Sequence, residues 1–345
     1  MDLSSWPDQA RPLVPRIISF IDNSLANRRH ESFETLALDI FQFQREHDPV
    51  ARALCPHLPR TFADIPSIPV DLFKELPVGT VPQGAAAAQF MTSGTTATRR
   101  GIHRMRSTFL YEYNAKRWAN TCVPDLPKDA VSLLLDPTAH PESSLSHMIS
   151  VLAENGTASW HLPDGQVDVD QFTAQLHGKD SPTLVATTAF ALADLLKTGK
   201  VFSLPAPSVV LVTGGFKGRK TEVSEDALFQ QTERMFPGAR IVTEYGMTEL
   251  SSQLWGEPGL SFRPPPWLKV IACDPSSGKR LSTGETGQLR FYDLANLDCA
   301  VSIETMDAGY CTTSGAVVLQ GRLLDASPRG CSLTVEEARQ KKGAL

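Results

Sequence analysis

The chain has 345 residues, 41 % hydrophobic and 21 % charged, which is the balance of an ordinary globular protein with length for one large domain or two smaller ones. A formal net charge of −5 supplies no global basic field and argues against nucleic acid or an anionic membrane as the main partner. No run reaches ~18 apolar residues, so no transmembrane segment is expected, and the opening with Asp2 and Trp6-Pro7-Asp8 gives no expectation of a signal peptide.

In chain order, residues 12–47 are expected to be helical. Ile17, Ile18, Phe20, Ile21 and Leu25, then Phe33, Leu36, Ala37, Ile40 and Phe41, recur at helical spacing. Residues 56–82, rich in proline and apolar side chains, predict an extended, wrapping segment. Short buried strands are expected at 132–135, 159–162, 183–186 and 209–213, with helices at 143–154, 188–197 and 223–235 between them. This alternation predicts an α/β core. Beyond residue 265 the texture changes to strands at 268–273, 287–292 and 316–319 between Gly- and Pro-containing turns, a β-rich subregion, and 335–342 predicts a short charged helix.

Two segments carry chemistry. The first is Met91-Thr92-Ser93-Gly94-Thr95-Thr96-Ala97-Thr98-Arg99-Arg100, in which five hydroxyl side chains fall within seven positions. Hydroxyls and free backbone N–H groups donate to phosphate oxygens, and arginine adds charge and a donor fork. The same composition fits a solvated Ser/Thr turn. It is not a Walker loop, and Gly215-Phe216-Lys217-Gly218-Arg219-Lys220-Thr221 only approaches that pattern. The second is Ile241-Val242-Thr243-Glu244-Tyr245-Gly246-Met247-Thr248-Glu249, a β-branched run entering a Tyr-Gly turn. Tyr245 can stack on a purine, Gly246 lets the backbone come close, and Thr248 can donate to a phosphate. Glu249 is a hard oxygen ligand suited to a Mg²⁺ that also binds substrate phosphates. A plain strand followed by an N-capped helix would account for Thr248 and Glu249 equally well.

Together, in this order and about 150 residues apart, the two segments resemble the adenylate-forming superfamily of acyl-CoA synthetases, peptide-synthetase adenylation domains and luciferases. Further matches are Ile65-Pro66-Ser67-Ile68-Pro69-Val70 with Phe73-Lys74, Thr213-Gly214-Gly215-Phe216-Lys217, Thr305-Met306-Asp307-Ala308-Gly309 and Gly321-Arg322. With Arg329-Gly330-Cys331-Ser332-Leu333, the set looks like the acyl-protein synthetase (LuxE-type) family, the ATP-using component of bacterial fatty acid reductases.

The resemblance implies an α/β adenylate-forming core of helix-flanked sheets over residues 1–320. It also implies a truncated segment at 321–345 in place of most of the superfamily's C-terminal domain. Ser93, Gly94, Thr95 and Thr96 would hold the ATP phosphates, and Arg100 would keep the charge found there as lysine in relatives. Ala97 departs from the usual loop glycine. Tyr245 and Gly246 would pack on adenine, Thr248 would touch the α-phosphate, and Glu249 would hold Mg²⁺. Asp307 would accept from the ribose hydroxyls with Arg322 nearby. Gly214 and Gly215 would line the acyl pocket, as would His147 in Ser144-Leu145-Ser146-His147-Met148, where a core histidine on an apolar helix is an equal reading.

Cys331 matches the family's acyl-accepting cysteine, and Arg329 beside it would favour the thiolate. A lone Cys in such a position is also commonly an unremarkable thiol. The six cysteines show no close C-x-x-C pair, which points to a reducing cytoplasm. The implied activity is ATP- and Mg²⁺-dependent conversion of a carboxylic acid, a fatty acid by resemblance, to an acyl-adenylate, then to a thioester for an acyl reductase, acyl carrier or other accepting partner. Two alternatives stand beside it. One is an acyl-CoA ligase or an adenylation of an aromatic or amino acid with an external acceptor. The other is a non-catalytic subunit that binds nucleotide or acyl group, against which the retention of Thr248, Glu249 and Asp307 speaks.

Overall fold

The computed structural model describes residues 3–92, 99–154, 156–214 and 224–323. They divide into two compact units. The described parts of Met1–Asn114, Met247–Ser252 and Pro264–Leu345 form the first, and those of Ala115–Gly246 and Gln253–Arg263 form the second.

The first unit opens with helices α1 (Leu13–Leu25) and α2 (Phe33–His47), whose apolar faces bury Val14, Ile17 and Ile21, and Leu36, Ile40 and Phe41. The expected single helical stretch is therefore broken. Asn27 takes a left-handed φ of 51°, and the N–H groups of Asn27 and Arg28 donate back to Ser24 O and Asn23 O. That closes α1 in the manner of a Schellman turn, where asparagine is the usual substitute for glycine. Ser32 then caps α2 by accepting from Thr35 N. Helix α3 (Pro49–Leu54) follows, with Asp48 as its cap and proline in the first turn.

The expected extended segment contains a two-residue strand, β1 (Ile68–Pro69), and a single helical turn, α4 (Leu72–Glu75). Strands β2 (Ala88–Met91) and β3 (Ile102–Met105) pair as an antiparallel hairpin around the hydroxyl-rich segment. Helix α5 (Phe109–Cys122) begins in the first unit and ends in the second.

The second unit is a doubly wound sheet. Its strands are β4 (Asp129–Leu133), β5 (Ala158–Trp160), β6 (Thr183–Thr188), β7 (Val209–Thr213), β8 (Arg240–Tyr245) and β9 (Leu254–Gly256). Helices α6 (Ser144–Leu152), α7 (Val169–Leu176), α8 (Ala189–Leu196) and α9 (Glu225–Met235) alternate with them. The order is β5-β4-β6-β7-β8-β9, parallel except for β9. Continuous burial along β7 is what a central parallel strand covered on both faces requires. Val210 and Val212 pack with Phe172 of α7, Leu192 of α8 and Leu228 of α9 in one apolar cluster.

The first unit closes with β10 (Leu268–Cys273), β11 (Gly287–Asp293), β12 (Ser302–Cys311) and β13 (Val317–Arg322). The first half of β12 takes β1 as a parallel neighbour, and its second half takes β13 as an antiparallel one. No helix among the described residues is long and apolar enough to cross a membrane.

Candidate functional site

In the first unit the segment Met247–Ser252 carries Thr248 and Glu249. No helix follows Thr248; residues 246–252 are turn and irregular backbone. With no helix or strand ladder to take its peptides, the segment is held by side chains from elsewhere. His103 of β3 donates from Nδ1 to Thr248 O at 2.7 Å. Asn296 donates to Glu249 O at 2.9 Å, and Asn114 of α5 to Ser251 O at 3.0 Å. Asp293, at the end of β11, accepts from Ser251 N and Ser252 N on Oδ2, and from Ser252 Oγ and Ala295 N on Oδ1.

These four side chains are all buried, and so is Glu249. Burial pushes the Asp293 carboxyl up to about 6 against the pull of its four donors. The stretch that carries Asp293 and Asn296 is itself pinned from α2, where Gln44 donates to Asn296 O at 2.8 Å and accepts from Val301 N at 2.8 Å.

The same unit brings Asp307 and Arg322 together. They are register partners across β12 and β13, and Arg322 Nε donates to Asp307 Oδ1 at 3.2 Å. Arg100 folds back over the neck of the hairpin loop, donating to Thr92 O at 2.6 Å and Met91 O at 3.3 Å. Gly101 N donates to Thr92 Oγ1 at 2.8 Å, which closes the neck a second time.

In the second unit the motif residues sit at the carboxyl ends of parallel strands, the edge where ligands bind in doubly wound sheets. Gly214 follows β7 with φ 67°, and its N–H points at Glu244 O at 3.4 Å. Tyr245 ends β8, nearly buried, with its ring 6.1 Å from that of Phe262. Next to it, a Cβ on Gly246 would lie 2.4 Å from Glu244 Oε1, so a side chain here would displace that carboxylate. His147 lies on α6, which leaves the carboxyl end of β4, and its N–H donates to Ser143 O. A groove of about 470 Å³ lined by Thr173, His177, Lys200 and Phe202 lies between the end of α7 and the residues leading into β7, at the opposite edge of the sheet from these residues.

Ser93, Gly94, Thr95, Thr96, Gly215 and Cys331 lie outside the described residues, as do the R-G-C-S run, the segment resembling a Walker loop and the expected helix at 335–342. The holding residues His103, Asn114, Asp293 and Asn296 were not legible as site residues. Asp293-Leu294-Ala295-Asn296 is a polar–apolar mixture in sequence, and its only signal is that an Asp and an Asn sit within a run otherwise fit for burial.

No family model matches the chain, and no curated protein matches it. Among solved structures, it is similar to O-succinylbenzoate coenzyme A synthetase (MenE) from Bacillus subtilis in complex with ATP and magnesium ion. The TM-score is 0.52 at 18 % identity, over 72 % of this chain and 53 % of that one. It is also similar to ATP-bound MatB from Rhodopseudomonas palustris, with a TM-score of 0.50 at 18 % identity, over 70 % of this chain and 50 % of that one. The chain thus spans about half the length of these structures. At such identity the likeness is one of fold, an α/β core shared with these synthetase structures.

Proposed function

We propose that the protein activates a carboxylic acid as an acyl-adenylate with ATP and then passes the acyl group to a thiol. The observation that carries this reading is the buried, side-chain-held segment bearing Thr248 and Glu249, within a fold shared with structures solved with ATP. A substrate carboxylate oxygen attacks the α-phosphorus of ATP, and the bond to pyrophosphate breaks. Thr248 donates to the α-phosphate, while Ser93, Gly94, Thr95, Thr96 and Arg100 hold the outgoing phosphates. Tyr245 and Gly246 form the adenine wall. Asp307 accepts from the ribose hydroxyls, oriented by its ion pair with Arg322. Gly214, Gly215 and His147 line the acyl side.

Among the described residues no group of three or more His, Cys, Asp or Glu is gathered as a metal site. A single carboxylate, Glu249, suits Mg²⁺ that arrives on nucleotide phosphates, where the ion supplies charge neutralisation. In the second step a thiolate attacks the acyl carbonyl and AMP leaves. We assign the thiol to Cys331, which makes the transfer intramolecular and yields a thioester for an acyl reductase or carrier. A fatty acid is the substrate that the sequence resemblance favours. Residues 1–320 would then be the adenylating core and 321–345 the segment that carries the acceptor. The free thiols of Cys55, Cys122, Cys273, Cys299 and Cys311 fit a reducing cytoplasm.

The MenE structures favour a second reading, in which coenzyme A is the acceptor. Intact-protein mass after incubation with ATP, Mg²⁺ and a panel of acids, with Cys331→Ala as control, separates the two. A hydroxylamine-sensitive adduct that vanishes in the control supports Cys331. Pyrophosphate release without an adduct supports an external acceptor. With neither, adenylation itself is wrong.

A further inference from the structure

His103 stands on β3, the strand that leaves the hydroxyl-rich segment. Its ring is wholly buried, and its Nδ1 lies 2.7 Å from the Thr248 carbonyl oxygen. A carbonyl only accepts, so Nδ1 carries the proton and Nε2 is the bare acceptor. Among the described residues Nε2 is buried without a hydrogen-bond partner. For packing alone, a leucine would fill such a place without leaving a polar atom unsatisfied. The ring thus accepts that cost and makes one bond, to the peptide joining Thr248 to Glu249. Pinning that carbonyl fixes the plane of the peptide and with it the direction in which Glu249 leaves the backbone. Asn114, Asp293 and Asn296 hold the same segment, but none of them comes from the hairpin that flanks the hydroxyl-rich run.

We propose that His103 is a positioning residue that couples the strand leaving the hydroxyl-rich segment to the Thr248–Glu249 peptide, so that groups on both act on one nucleotide. Its catalytic consequence rests on the adenylation reading; its structural claim does not.

The test uses the full chain as wild type, His103→Asn, His103→Gln and His103→Leu. An asparagine amide reaches the place of Nδ1, a glutamine amide extends past it, and leucine has no donor. Hydrogen exchange is read at the amides of residues 247–252, and ATP–pyrophosphate exchange is resolved into kcat and KM. The expected result is near-wild-type behaviour for the Asn variant. For Leu and Gln, protection at 247–252 falls about tenfold or more and kcat falls roughly 10- to 100-fold, with KM for the acid little changed. Equal protection and equal kcat in the Asn and Leu variants would overturn the proposal.

If the wild type catalyses no pyrophosphate exchange, the adenylation reading fails, while the contrast in amide protection still decides the coupling. If the substitutions prevent folding, the nitrogen-15 resonances of the wild-type ring decide it. A protonated Nδ1 supports the proposal, and a protonated Nε2 sinks it.

Discussion

Asp293 shows what a single buried carboxylate does for the segment that follows Tyr245 and Gly246. It receives two N–H groups on one oxygen, and a hydroxyl and an N–H on the other, so every approach to it is by a donor. Asp293→Asn would turn an NH₂ toward two of those donors. We expect a loss of about 2–4 kcal/mol in denaturant unfolding at neutral pH, and loss of amide protection at Ser251 and Ser252. The titration of the buried groups has a definite sign. Burial raises Asp48, Asp293 and Asp298 from 3.8 to about 6. Their contribution is therefore fully present below pH 3.8 and is lost as pH rises through 6. Burial lowers His103 from 6.5 to about 4, so its contribution is present above pH 6.5 and is lost as pH falls through 4. Removing the imidazole takes away only the second effect. The stability of wild type relative to His103→Asn should fall between pH 7.5 and pH 4 by up to roughly 3 kcal/mol, since each unit of pKa difference is worth about 1.4 kcal/mol. Chemical unfolding at the two pH values checks this, and a gap that is constant with pH would contradict it. Thr248, Glu249, Asp307 and Arg322 could be singled out in the sequence because motif resemblance marks residues that would touch a nucleotide. Residues that hold this segment from a distance, as His103 and Asp293 do, leave no such mark, because their partners within it lie 41 to 145 positions away.

At the scale of elements, legibility followed apolar continuity. The expected strands at 209–213 and 268–273 coincide with β7 and β10, and α8 and α9 fall within the stretches expected for them. The ten-residue β12 was not foreseen, although it lies between two neighbours in its sheet. Its sequence Ser-Ile-Glu-Thr-Met-Asp-Ala-Gly-Tyr-Cys offers no apolar run, because Glu304 is buried against Arg290 of β11 at 2.5 Å rather than facing water. A cross-strand ion pair has thus replaced an apolar contact, and hydrophobic pattern alone cannot register that. Helix α5 was missed for a related reason, since it buries Asn114 among its own and Ser251's carbonyls. Near the end of β12, Gly309 lets β13 come close, and a Cβ there would lie 2.3 Å from Val318 O. Gly309→Ala should force the two strands apart, at a cost of about 1–3 kcal/mol. It should also loosen the Asp307–Arg322 pair two rungs away, and under the proposed adenylation that raises the KM for ATP with little change in kcat. A midpoint of unfolding equal to wild type would show that the close approach is not needed.

At the scale of the whole molecule, the α/β class and the β-rich later region were legible from the order of patterned segments. The division into two units was not, because the first unit is assembled from three stretches of chain. Its sheet joins β1 to β12, and the hydroxyls of Ser67 and Ser302, 235 positions apart, meet at 2.7 Å. Each parallel pair in the second unit, by contrast, joins strands separated by a single helical crossover or two. Ordering distant pieces costs loop entropy before any contact rewards it. In pulsed hydrogen-exchange refolding we expect amides of β6, β7 and β8 to become protected before those of β11 and β12; the reverse order would contradict this. The order of synthesis adds a further twist. Glu249 leaves the ribosome 47 positions before Asn296, which holds its carbonyl. For that interval the nascent chain carries the Thr248–Glu249 segment without the side chain that holds it, so translation itself sets the earliest moment at which that segment can take its final conformation.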